Sequence, residues 1–245
     1  MKLTDIKAVV FDVDGVLLDT NEIHKKLKKF FKKIFSVVGV PVGVNKEEVS
    51  GDLRGKDIIS TLKNAGWEDW KIEFYVKIWT WLELRYKPKA FIGANQVIQA
   101  CKYQGKTVGL LTNRGMDAAV EPILRSGLDW RKLDFFVTYE AIKKDSRVSK
   151  FPNHFFAEFS KPDPRAADVA NHVLERLEGY PSSVLYVGDN LIDYYFARDN
   201  GFSFIGVLSG EIKNPDKWIE VGVKNIIVDI AQLIPYLMEN ELEEF

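Results

Sequence analysis

Four short stretches hold the residues that could do chemistry. Asp12 and Asp14 lie in Phe11-Asp12-Val13-Asp14-Gly15-Val16, and Thr112-Asn113 forms a polar pair. Lys161 opens Lys161-Pro162-Asp163-Pro164, and Asp189 and Asp193 lie in Gly188-Asp189-Asn190-Leu191-Ile192-Asp193. All four fall just after runs that read as strands, and an open α/β sheet binds ligands beyond the carboxyl ends of its strands. Carboxylates, a lysine and short hydrogen-bonding side chains gathered there could bind and process a polar ligand. Each stretch also has a plainer reading. The aspartates could close a strand, Thr112-Asn113 is ordinary turn chemistry, and Lys-Pro-Asp-Pro could simply start a helix. Their order and their shared edge make the set a stronger signal than any one member.

The elements that must position these groups come next. Ala8-Val9-Val10-Phe11 is β-branched and aromatic throughout, as in a strand buried on both faces. Gly15 allows a sharp turn behind the aspartates. Asp19-Thr20-Asn21 can cap a helix, in which Ile23, Leu27, Phe30, Phe31, Ile34 and Phe35 recur at helical spacing opposite a lysine-rich face. Residues 45 to 86 read as further helices, interrupted by Gly51-Asp52-Leu53-Arg54-Gly55-Lys56-Asp57, a loop that presents Arg54 and Lys56 or a plain helix–helix turn. The helix from Trp67 to Tyr86 carries Trp67, Trp70, Phe74, Tyr75, Trp79, Trp81 and Tyr86, aromatics suited to a core or to a homodimer surface. No strand signal occurs between residues 20 and 88, so 20–87 reads as a helical unit inserted after the first strand.

Beyond Pro88 helices and short strands alternate, the pattern of a parallel sheet. Strands are expected at Thr107–Leu111, Phe135–Thr138, Val184–Val187 and Phe202–Val207, with a last strand-and-helix unit from Ile226 to Met238. Helices are expected at Ala94–Tyr103, Met116–Arg125, Pro164–Leu177 and Ile192–Asp199. Lys143 to Ser160 mixes basic residues with Phe151, Phe155, Phe156 and Phe159 and reads as a lid or a packed surface loop.

Composition narrows the function classes. The formal net charge of −1 over 245 residues gives no global field for nucleic acid or anionic membrane. Cys101 is the single cysteine, which excludes an intrachain disulfide and a thiolate metal cluster. No stretch is long and apolar enough to span a bilayer, and Met1-Lys2-Leu3-Thr4-Asp5 does not begin a signal peptide, so a cytoplasmic protein is expected.

With these four motifs in this order, the sequence resembles the haloacid dehalogenase superfamily of aspartate-nucleophile phosphohydrolases, over essentially the whole chain. The stretch between the first aspartates and Thr112 is similar to the helical cap of its first subclass, which includes phosphoglycolate phosphatase-like enzymes. The resemblance implies an α/β fold: a Rossmann-like parallel sheet flanked by helices over 1–19 and 88–245, with an inserted helical cap over 20–87. It implies a Mg2+-dependent phosphatase acting on a small phosphorylated metabolite through an aspartyl-phosphate.

By the same resemblance, Asp12 is the nucleophile and Asp14 the acid and base. Asp12, Asp189 and the main-chain carbonyl of Asp14 would hold Mg2+, a hard cation that neutralises a dianionic ester. Thr112 and Asn113 would hydrogen-bond the phosphoryl oxygens, and Lys161 would offset charge between the carboxylates and the transferring group. Asp193 would hold metal-bound water or orient Lys161, and the cap cations Arg54 and Lys56 would meet the substrate. Asp14 argues against a dehalogenase, whose halide leaves unprotonated. A β-phosphoglucomutase-like phosphotransferase shares all four motifs, and a non-catalytic binding protein could keep the fold.

Overall fold

An apolar strand without polar interruption has no face to offer water, and the first strand is packed on both sides. The structure is a computed structural model that describes residues 5–21, 66–85, 87–139 and 153–239, together with 23, 25, 26, 29 and 151. Strand β1 (Ala8–Phe11) has every residue buried. Successive side chains on a strand point to opposite faces. Val9 and Phe11 join one core with Val108, Leu110 and Phe136, while Ala8 and Val10 join a second with Phe135, Val137 and Tyr186.

The sheet has seven strands, all parallel. They are β1, β4 (Thr107–Thr112), β5 (Phe135–Tyr139), β6 (His154–Ala157), β7 (Val184–Gly188), β8 (Ser203–Val207) and β9 (Ile226–Ile227). Their spatial order is β6-β5-β4-β1-β7-β8-β9. From β1 the chain builds outward through β4, β5 and β6, then returns to the other side of β1 and builds outward again. The order therefore reverses at β1 and β7, the switch point at which such sheets form a crevice at their carboxyl ends. Helix α1 spans Asp69–Arg85. On one face of the sheet lie α2 (Ala94–Tyr103) and α3 (Met116–Arg125), through Val97, Ile98, Ala119 and Ile123. The other face is covered by the Ala166, Ala167 and Ala170 segment and by α5 (Leu191–Asp199), through Phe196 and Ala197.

Among the described residues most expected elements stand within a residue or two of their sequence boundaries, and two differ; the helices expected through Phe35 and over 45–65 lie largely outside those residues. Pro164–Leu177 is not one α-helix but a 3-10 helix over Pro164–Ala170 followed by the single turn α4 (Asn171–Leu174). Its three buried alanines lie flat against the sheet. The stretch from Lys143 to Ser160 contains β6, which pairs in parallel with β5 through Phe136↔His154 and Thr138↔Phe156. Residues 143–150 lie outside the described residues. Two further short helices follow β8 among the described residues, α6 (Asp216–Glu220) and α7 (Leu233–Glu239).

The two ends of the stretch between residues 20 and 88 lie side by side. Strand β2 (Leu18–Asp19) pairs antiparallel with β3 (Lys89–Ala90), Leu18 opposite Ala90 and Asp19 opposite Lys89. Just beyond β2, Asn21 Nδ2 donates to Ser209 O at 2.8 Å. In α1 the aromatics divide. Trp67, before its first turn, and Tyr75 are buried edge to face, whereas Trp70, Phe74 and Trp81 are exposed.

Candidate active site

The carboxyl ends of β1, β4 and β7 lie side by side, so the residues just beyond them meet without any long reach. Asp12 N donates to Val187 O at 2.9 Å, which ties the first aspartate to the neighbouring strand. One carboxylate oxygen from each of Asp12, Asp189 and Asp193 lies within 4.8 Å of the other two, and all three residues are buried.

Lys161 follows the edge strand β6, which is separated from β1 by β5 and β4, and its side chain reaches back past Leu111 of β4. Its Nζ donates to Asp12 Oδ1 at 2.7 Å, to Asp193 Oδ1 at 2.6 Å and to Tyr186 Oη at 2.8 Å, and it lies 3.3 Å from Leu111 O. An ammonium has three protons, and these three short contacts use them. Tyr186 Oη in turn donates to Leu111 O at 3.1 Å. Hydrogen-bond direction is thereby fixed through the buried centre.

Electrostatics follow from burial. Loss of water pushes the Asp12 carboxyl up to about 7, against the pull of the Lys161 ammonium, and the Asp193 and Asp14 charges push the same way as burial. Burial works against the Lys161 ammonium too, but Asp12 and Asp193 more than reverse it, and its pKa lies well above the ordinary lysine value. Burial holds the Tyr186 hydroxyl well above its ordinary range, so it stays protonated.

Asp193 serves two structures at once. It is the third residue of α5, and its Oδ2 accepts from Asn190 N and Asp189 N, each at 3.2 Å, while Asn190 Oδ1 accepts from Ile192 N. This reciprocal cap anchors one oxygen to the helix start and leaves the other facing Lys161. Asp189 is set by the loop after β8: Glu211 N donates to its Oδ2 at 2.7 Å, and Ser209 Oγ donates to Gly15 O at 2.7 Å. A Cβ at Gly15 would stand 2.3 Å from Asp189 Oδ2, and one at Gly210 would stand 1.9 Å away. Both backbones come as close as they do because no side chain intervenes.

Two residues from the sequence reading take unexpected partners. Asn113 Nδ2 donates to Lys161 O at 2.9 Å, and Asn113 Oδ1 accepts from Lys161 N at 2.7 Å, so this amide grips a main chain 48 residues away. Asp14 is not a member of the three-carboxylate group. Its carboxylate is forked on the Arg114 guanidinium, with Nη2 donating to Oδ1 at 2.8 Å and Nε donating to Oδ2. Thr112 is buried, and its Oγ1 accepts from Arg114 N at 3.2 Å. Arg54 and Lys56 lie outside the described residues.

Tyr186 and Arg114 were missed in the sequence. Tyr186 sits inside an apolar strand and reads as core there; its signal is a hydroxyl on a fully buried strand two residues before Gly188. Arg114 follows Thr112-Asn113 directly, and adjacency to that pair was the available sign.

A buried group of three carboxylates with one buried ammonium among them has an excess of negative charge, and its donors are all oxygen. Such a set fits a hard divalent cation.

The family model described as haloacid dehalogenase-like hydrolase matches residues 9–207. The chain is 28% identical to an N-acetylmuramic acid 6-phosphate phosphatase of Pseudomonas aeruginosa, over 97% of each chain. It is 29% identical to a phosphoglycolate phosphatase of Nitrosospira multiformis, over 80% of each. Among solved structures, a hydrolase from Pseudomonas syringae superposes with a TM-score of 0.68 at 21% identity, covering 96% of this chain and 98% of that one.

Proposed function

The chain belongs to the haloacid dehalogenase-like hydrolases, and from that membership we propose that it is a phosphatase, cleaving a small phosphomonoester by way of a phosphoryl group carried on Asp12. The observation that carries this reading is the Lys161 ammonium held between Asp12 and Asp193 at 2.7 and 2.6 Å, with Asp189 completing the carboxylate group.

In this reading the Asp12 oxygen attacks phosphorus and the ester oxygen departs, taking a proton from Asp14. Asp14 then accepts a proton from water, which attacks the aspartyl-phosphate and frees both phosphate and Asp12. Lys161 steadies the Asp12 carboxylate and meets the charge that builds on the phosphoryl oxygens. Thr112 holds a phosphoryl oxygen, and Asn113 serves by fixing the main chain from which Lys161 projects. Asp12, Asp189 and the main-chain carbonyl of Asp14 would hold Mg2+, with Asp193 orienting Lys161 beside them. When bound, the ion offsets the charge of the ester and polarises its P–O bonds.

Residues 20–87 are, in the same proposal, a helical cap over a core of 1–19 and 88–245. Specificity then belongs to the cap, with Arg54 and Lys56 as its cationic contacts. The relatives' names make phosphorylated sugars and phosphoglycolate the first compounds to try.

The test is release of inorganic phosphate from p-nitrophenyl phosphate and from that panel in the presence of Mg2+. Turnover is expected, and a verified Asp12→Ala protein should show none. Substantial turnover by Asp12→Ala would exclude the covalent route. Isomerised sugar phosphate without phosphate release would point to a phosphotransferase instead.

A further inference from the structure

Arg114 is held from three sides before it touches Asp14. Its main-chain N donates to Thr112 Oγ1 at 3.2 Å, and its carbonyl accepts from Tyr139 N at 3.0 Å, which ties it to the ends of β4 and β5. Its Nη1 donates to Ala118 O at 3.0 Å, in the first turn of α3. The remaining edge of the guanidinium, Nε and Nη2, faces the two oxygens of Asp14. The two side chains are only 13% and 22% exposed.

A carboxylate at the end of two rotatable bonds has several staggered positions open to it. A planar fork on a fixed guanidinium selects one. Two N–H donors aimed at its two oxygens also favour the carboxylate, the form that accepts a proton, over the acid.

We propose that Arg114 is a positioning residue for the second half of the reaction: it aims Asp14, as a base, at the water that hydrolyses the aspartyl-phosphate. This rests on the reading of Asp12 and Asp14 given above. In that step a water oxygen forms a new bond to phosphorus and the bond from phosphorus to the Asp12 oxygen breaks. Asp12 leaves with the electron pair, and the water proton passes to Asp14. Loss of the fork leaves Asp14 present but unaimed, so dephosphorylation slows more than phosphorylation when the leaving group needs no proton.

p-Nitrophenyl phosphate supplies such a leaving group, since p-nitrophenolate departs as a stable anion. Rapid mixing of Arg114→Met with this ester should give a burst of p-nitrophenol approaching one per active site. Steady turnover should then run about ten- to hundred-fold below the unaltered enzyme, with phosphoryl label retained on the Asp12 peptide after acid quench. Arg114→Lys keeps the charge but not the fork and should fall between. Should Arg114→Met fail to fold, Arg114→Lys carries the comparison with a smaller burst. Slower turnover with no burst and no retained label in the folded variant, or unchanged kinetics, would overturn the proposal. Asp14→Asn is run alongside. A burst in Asp14→Asn but none in the Arg114 variants refutes the role of Arg114 alone, whereas no burst in Asp14→Asn refutes the underlying assignment of Asp14.

Discussion

Asn113 clamps Lys161 by its main chain, donating from Nδ2 to Lys161 O at 2.9 Å and accepting at Oδ1 from Lys161 N at 2.7 Å. Lys161 comes from beyond an edge strand, so this clamp decides where its side chain begins its path to Asp12. Asn113→Ala removes both bonds. At about 1 kcal/mol net for each, urea unfolding should show a loss of roughly 2 kcal/mol, and kcat should fall about tenfold or more with KM little changed. Unchanged kcat in a destabilised protein would show that the clamp serves folding only.

Tyr186 closes the shell of Lys161 by accepting its third proton. Tyr186→Phe leaves a buried N–H short of an acceptor, at a cost of about 1–3 kcal/mol. The aromatic packing on Phe196 should survive, since the rings keep their edge-to-face contact at 5.2 Å between centroids. Thermal melting should therefore report a lower Tm with an intact near-UV spectrum, and turnover should drop about tenfold. A variant as active and as stable as the parent would show that Leu111 O suffices as the acceptor.

The three-carboxylate group should respond to metal in stability as well as in activity. EDTA treatment is expected to abolish turnover and added Mg2+ to restore it. Ca2+, with looser and more numerous ligands, should inhibit. Binding to the folded chain alone raises Tm, so differential scanning calorimetry should show an Mg2+-dependent rise that Asp189→Asn loses. An unchanged rise in Asp189→Asn would place the ion elsewhere.

His154 should mark the acid limb of stability. It stacks on Phe136 at 4.9 Å, its Nε2 lies 2.8 Å from Thr138 Oγ1, and burial pushes its pKa down to about 4. The unfolded value is near 6.5, so between those values the unfolded chain holds the proton and the folded chain does not. Its contribution is therefore complete above about pH 6.5 and is lost as pH falls towards 4, with a slope of at most about 1.4 kcal/mol per pH unit. His154→Phe should flatten that part of the curve by about 1–3 kcal/mol in total, discounted for partial exposure of the ring. Urea titrations of both proteins at pH 4 to 7 provide the comparison, in which all other titrating groups cancel. Parallel curves would refute the assignment.

Strands buried on both faces are easy to read, because burial demands an apolar run, and three such runs, β1, β4 and β7, end in residues that meet at the site. β1 and β7 were legible for that reason, and with them Asp12 and Asp189. β6 was not, since His154, Phe155 and Phe156 lie among basic residues and take their strand form from pairing with β5. The same holds for partners. Spacing brought Asp14 to the sheet edge, but its fork with Arg114 depends on side-chain direction, which no periodicity records. Tyr186 was hidden by the very apolar run that made β7 legible.

The antiparallel contact of Leu18–Asp19 with Lys89–Ala90 has a consequence for engineering. Residues Asp19 and Lys89 stand directly opposite each other, the separation that a two-residue hairpin turn spans. The chain therefore leaves β2 and returns at β3 side by side. In the proposed division of the chain, with 20–87 as a cap, an insert of another length would fit there without moving a strand of the seven-stranded sheet.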